Sequence, residues 1–167
     1  MVPERYGSKR LEATAVEVTG PKRYTAEGFG GTNQVGVVAG RATADGIDGA
    51  SLVDLSGNVR DGMLTWEVPE GAWKVMKFTW VVHKSGPRYL LDGASKDAVE
   101  WYIRTVYQPH YDRFKEDFGT NILGYFYDEP ETQGDWGTEV LPVLAERRVD
   151  RKRALVAWKF KLAGEEQ

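Results

Sequence analysis

The chain contains no cysteine and only two histidines, His83 and His110. Disulfides and thiolate metal sites are therefore excluded, and any metal would have to rely on oxygen ligands and those two imidazoles. No apolar run approaches the roughly 18 residues of a membrane-spanning helix. The N-terminus also lacks the apolar core of a secretory signal, so no membrane partner is expected. Charge of one sign is nowhere concentrated: the net charge of −3 over 167 residues comes from interspersed signs, which leaves no electrostatic footprint for nucleic acid. The glycines between residues 28 and 49 are followed by no Gly-Lys-Ser/Thr, no G-x-G-x-x-G opens a helix, and there is no G-x-S-x-G elbow. Phosphate-loop nucleotide binding and nucleophile-elbow hydrolysis lose their support.

What remains is an ordinary globular composition, 41% hydrophobic and 28% charged, enough for one folded domain rather than disorder. Six tryptophans and eight tyrosines are many for this length. Such rings pack cores, and they stack equally well on the apolar faces of sugars.

The pattern changes near Ser85-Gly-Pro87. Residues 1–87 read as a β-rich N-terminal portion. Turn chemistry at Gly28-Phe-Gly-Gly31 and Asp45-Gly-Ile-Asp-Gly49 flanks the short strands 35–39 and 51–55. From Trp73 to Val82, Met76, Phe78, Trp80 and Val82 alternate with Lys77 and Thr79, the period of a half-buried strand. With residues 64–68 and the turn at Pro69-Glu-Gly71 this predicts an antiparallel hairpin.

Residues 88–167 read as α/β. A strand at 88–92 leads through Gly93 to Ser95, a suitable N-cap with Asp97 and Glu100 in the first turns. Val99, Ile103, Val106, His110, Phe114 and Phe118 then form one apolar stripe, closed by Gly119. Pro109 inside it predicts a kink near Thr105. A second strand, 122–127, and a last helix from about 138 or 147 to 163 follow. The fold class expected is α/β: a partial (β/α)8 barrel of about two βα units carrying the antiparallel β-rich portion. Two such strands cannot close a sheet, and the chain stops just after a helix, so it reads as a fragment of a larger protein.

The richest stretch is Gly124-Tyr-Phe-Tyr-Asp-Glu-Pro-Glu131, an aromatic strand running into three carboxylates. Pro130 ends the strand and biases Glu129 toward an extended backbone. Acids at the carboxyl end of a strand sit where α/β sheets and barrels do their chemistry. Burial beside rings raises a carboxylic acid's pKa toward values useful for protonating a leaving group. Glu129 is the candidate acid, Asp128 its support or a cation ligand, and Glu131 the alternative. Tyr127, Trp136 in the loop after the acids, and Asp92 at the end of the preceding strand are candidate substrate contacts. A solvated turn, a hydrophobic lid and a helix-initiating residue are the plainer readings of these same positions. His110, on the apolar stripe, reads as a core histidine.

Four segments in order carry a family resemblance: Val68-Pro-Glu-Gly-Ala-Trp-Lys-Val75, Leu91-Asp-Gly-Ala-Ser-Lys-Asp-Ala-Val99, Phe118-Gly119 and Gly124-Tyr-Phe-Tyr-Asp-Glu-Pro130. Together, over residues 68–130, they resemble the alpha-L-rhamnosidase-like family of large bacterial glycoside hydrolases. The resemblance implies a (β/α)8 catalytic barrel, inverting hydrolysis by two carboxylates, a calcium ion at the site, a carbohydrate substrate, and a secreted or periplasmic parent protein. By position only Asp128 and Glu129 carry over. An inverting enzyme holds its second carboxylate about 6.5–9.5 Å from the first. No residue of the 167 matches that base, which is expected beyond Gln167, leaving this chain catalytically incomplete.

Overall fold

A computed structural model of the chain describes residues 1–126 and 134–165. The polypeptide divides into two compact units that interleave in sequence: residues 1–10 with 82–140, and residues 11–81 with 141–167.

The second unit is built on one β-sheet. Its strands are β1 (Lys9–Ala26), β2 (Gln34–Thr43), β3 (Gly46–Ile47), β4 (Val53–Asp54), β5 (Val59–Arg60) and β6 (Met63–Val82), in the order β1-β6-β2-β3 with β4 on β2 and β5 on β6. β2 pairs antiparallel with β3, β4 and β6, and β5 antiparallel with β6. The alternation expected over Met76, Phe78, Trp80 and Val82 is present in part: Met76 and Phe78 are fully buried and Lys77 between them only partly, but Val75 is buried as well, and Trp80 and Val82 are half-buried like Thr79. The expected hairpin is not. Residues 63–82 form one unbroken strand, and the Pro69-Glu-Gly71 turn chemistry is absorbed as an irregularity within it. Gly71 sits at φ +106°, a conformation open mainly to glycine. Across this point the buried positions change parity, from Leu64, Trp66 and Val68 to Trp73 and Val75. The shift keeps all five in one core with Val37, Ala39 and Leu55, as a bulge does when it adds a residue to a strand. Trp66 and Trp73 meet edge to face there, 5.4 Å between centroids.

The other face of the sheet takes α4 (Arg151–Lys159), capped by the Asp150 carboxylate on the Lys152 and Arg153 amides. Leu155 and Val156 are its buried residues, Leu155 lies beside Gly36 on β2, and Phe160 meets Phe78 edge to face at 6.0 Å. The single late helix expected is thus two. α3 (Val140–Glu146) precedes α4, and the break carries Arg148 at φ +55°.

The first unit contains the residues expected to form βα units of a barrel, and it overturns that expectation. β7 (Lys84–Ser85) and β8 (Arg88–Tyr89) form a tight antiparallel hairpin. The rest of the expected strand, 90–92, pairs with the chain's first residues: the Ser8 amide donates to the Leu90 carbonyl at 2.7 Å and the Asp92 amide to the Tyr6 carbonyl at 2.9 Å, around an antiparallel Gly7 to Leu91 bridge. Ile122 makes only an isolated bridge to Phe118. Leu123 and Phe126 are 91% and 88% exposed, so the described part of the second expected strand is neither buried nor in a sheet. Among the described residues there is no parallel βα unit, and the architecture is mainly antiparallel β with short helices. The physical reason is a competing partner. Extended apolar segments need backbone hydrogen bonds, and for 90–92 the N-terminal segment supplies them.

The helix after Ser95 forms as expected, with the Ser95 hydroxyl accepting from the Ala98 amide. It runs as α1 (Lys96–Tyr102), a π-helical turn at Ile103–Tyr107, and α2 (Gln108–Phe114). Pro109 has no amide to offer the Thr105 carbonyl, and the wider turn lies over that gap. The apolar stripe stays substantially open, with Ile103, His110 and Phe114 exposed. His110 is therefore not a core histidine. Beside it Tyr107, Tyr125, Phe118 and Tyr111 form a run of ring contacts at 4.5 to 5.5 Å.

Candidate functional site

The first unit holds a cavity of about 350 Å³ lined by Ser8, Asp92, Ala94, Gly134, Asp135 and Trp136, among others. Small-molecule sites occupy about 300–1,000 Å³. Two of the residues singled out in the sequence, Asp92 and Trp136, thus come together on one cavity. The other four, Tyr127, Asp128, Glu129 and Glu131, lie outside the described residues.

Asp92 ends the extended segment in which its own amide donates to the Tyr6 carbonyl and the Leu90 carbonyl accepts from the Ser8 amide, which fixes its backbone. Its carboxylate is held from two sides: the Lys9 ammonium donates to Oδ2 at 3.2 Å and the Ala94 amide to Oδ1 at 3.1 Å. Lys9 also donates to the Gly7 carbonyl at 3.3 Å. Both Lys9 and Asp92 are buried, and each needs the other: a buried charge without its partner costs several kcal/mol, of order 3–5 when one member of a pair is removed. So fixed, the carboxylate acts as a hydrogen-bond acceptor with lone pairs to spare for a ligand. Its charge is balanced by Lys9.

Trp136 is buried in the opposite segment, where its amide donates to the Lys9 carbonyl at 3.1 Å and pairs the two backbones as an antiparallel bridge. Gly134 makes that approach possible. A Cβ there would lie 2.7 Å from the Lys9 carbonyl oxygen and 3.1 Å from its nitrogen, closer than packed atoms allow. Ser8 completes the wall. Its amide and carbonyl are satisfied by Leu90 and His83, but its Oγ is enclosed and has no partner among the described residues. An unsatisfied buried hydroxyl costs about 1–3 kcal/mol.

Ser8, Lys9 and Gly134 were not legible as site residues. Ser8 and Lys9 lie more than eighty positions from Asp92 and share no motif with it; a glycine two residues before a loop tryptophan was the one available signal. His83 contributes its backbone amide to the Ser8 carbonyl.

The described residues do not fit calcium. The position beside the Asp92 carboxylate that a cation would take is filled by the Lys9 ammonium, and no cluster of three acidic or histidine side chains suited to a metal occurs among the described residues. No chemistry is derived through a metal.

Comparison with known proteins yields no match to any family model, curated protein or solved structure.

Proposed function

We propose that this chain is part of an alpha-L-rhamnosidase-like glycoside hydrolase that binds a sugar in the Asp92–Trp136 cavity, with Glu129 as general acid on the glycosidic oxygen and Asp128 supporting it. The observation that carries the reading is the juxtaposition of Trp136 and the fixed Asp92 carboxylate on one cavity. A sugar presents the complement: an apolar C–H face for the ring and hydroxyl donors for the carboxylate. The acids lie close in sequence, Glu131 three positions before Gly134 of the cavity. Hydrolysis by inversion requires a second carboxylate to activate water.

A second reading, a noncatalytic carbohydrate-binding module, is favoured by the antiparallel architecture, which among the described residues includes no parallel βα unit. One experiment separates the two. Calorimetric titration with monosaccharides is run beside turnover of aryl glycosides, α-L-rhamnoside included, for the wild type and Glu129→Gln. Binding with turnover lost in the variant supports the hydrolase; binding without turnover in either supports the module. A chain that neither binds nor cleaves any member of the panel contradicts both.

A further inference from the structure

The Lys9 ammonium is held by oxygen atoms of the kinds that hold metal ions. Its Nζ donates to Asp92 Oδ2 at 3.2 Å and to the Gly7 carbonyl at 3.3 Å, and a carboxylate and a main-chain carbonyl are both ligands from which calcium sites are assembled. The Lys9 and Asp92 side chains are 10% and 4% exposed, and the other Asp92 oxygen accepts from the Ala94 amide at 3.1 Å. The backbone that carries the ammonium is pinned as well: the Lys9 carbonyl accepts from the Trp136 amide at 3.1 Å, and Gly134 lies against the Lys9 main chain. A calcium ion on the same carboxylate would have to displace the ammonium or sit beside it. Displacement strands a buried lysine without its counter-charge, and adjacency sets two cations together where water screens them poorly.

We infer that Lys9 serves this cavity as a tethered cation, a positioning residue that holds the Asp92 carboxylate in place so that ligand binding there needs no metal ion. The inference rests on the sugar-binding reading and departs from the calcium that the family resemblance implies. What the ammonium supplies is charge and orientation: it fixes Oδ2, Ala94 fixes Oδ1, and the remaining lone pairs are left for hydroxyl donors.

The test uses the full chain, first stripped with a chelator. Calcium chloride is titrated calorimetrically into wild type and Asp92→Asn, and the tightest-binding methyl glycoside of a panel into wild type with chelator and with added calcium. The expected result is no calcium binding that depends on Asp92, and the same sugar affinity under both conditions. Calcium binding lost in Asp92→Asn overturns the inference, and so does a sugar affinity that falls in chelator and returns with calcium. Calcium binding that survives Asp92→Asn, with sugar affinity unchanged, lies elsewhere and agrees with it. Lys9→Ala tests the role of the charge. It should bind the sugar about tenfold more weakly, with affinity restored by propylammonium but not by propanol, which has the size without the charge. A folded Lys9→Ala protein that keeps wild-type affinity, or that propylammonium restores no better than propanol, contradicts the positioning role. Thermal melting shows whether this variant is folded; where it is not, the wild-type and Asp92→Asn titrations decide alone. A wild type that binds no glycoside of the panel contradicts the sugar-binding reading, while the calcium titrations still judge whether Lys9 replaces a metal at Asp92.

Discussion

The Lys9 ammonium lies 3.2 Å from Oδ2 of Asp92, with the two side chains 10% and 4% exposed, and this pair joins segments 83 residues apart at the wall of the cavity. Removing one member leaves the other charge buried. Lys9→Met should lower unfolding free energy by about 3–5 kcal/mol, while Lys9→Met combined with Asp92→Leu should recover most of that loss. Urea denaturation of the three proteins measures it.

Gly134 is where two backbones touch. Because the obstacle to a Cβ is the Lys9 main chain rather than a mobile side chain, Gly134→Ala should cost about 1–3 kcal/mol. A lower melting temperature and a weakened ligand affinity are both expected, since the strained segment carries Trp136.

The N-cap of α4 makes stability pH-dependent. Slight burial pushes the Asp150 carboxyl up, but hydrogen bonds from the Lys152 ammonium and from the Arg153 and Lys152 amides outweigh it, leaving the pKa below its ordinary value of 3.8. The ionised form is thus favoured in the folded state, so its contribution is complete above 3.8 and is lost as pH falls through the lowered folded value. Asp150→Ala should cost about 1 kcal/mol at neutral pH. Its deficit relative to wild type should shrink on acidification, as read by denaturant titrations across the acid range.

Phe78 is fully buried on the face of the sheet that carries α4, with Phe160 against its edge. Phe78→Ala should destabilise by about 3–5 kcal/mol, the range for truncating a core aromatic. Asp150→Ala and Phe78→Ala act on the same helix, so their combined effect should depart from additivity in denaturant melts.

Local signals were the legible part of this fold. The Ser95 cap and the Met76 and Phe78 alternation depend on neighbours within one turn or one strand, and both appear in the structure. The Pro69-Glu-Gly71 segment was misread because its turn residues also suit a bulge, and only the pairing of residues 63–82 across the sheet decides between them. The segment 88–92 looked like a barrel strand, since nothing in its own residues announces that Tyr6 to Ser8 is its partner. Residues 122–127 were read as a strand from their apolar and aromatic run, which carries no information on what covers Leu123 and Phe126. The site divides the same way. Asp92 stood out at the end of an apolar run and Trp136 as a ring in the loop after the acids, whereas Ser8 and Lys9 become site residues only through long-range pairing.

The most direct measurement is the indole N–H resonance of Trp136, assigned by its disappearance in Trp136→Phe and followed while the tightest sugar of the panel is added. Trp158, exposed on α4, is the internal reference. A saturable shift of Trp136 with Trp158 unmoved, abolished in Asp92→Asn, is the expected result. A bound sugar that leaves Trp136 unmoved, or a Trp136 resonance unaffected by every sugar tested, would contradict the cavity as the binding site.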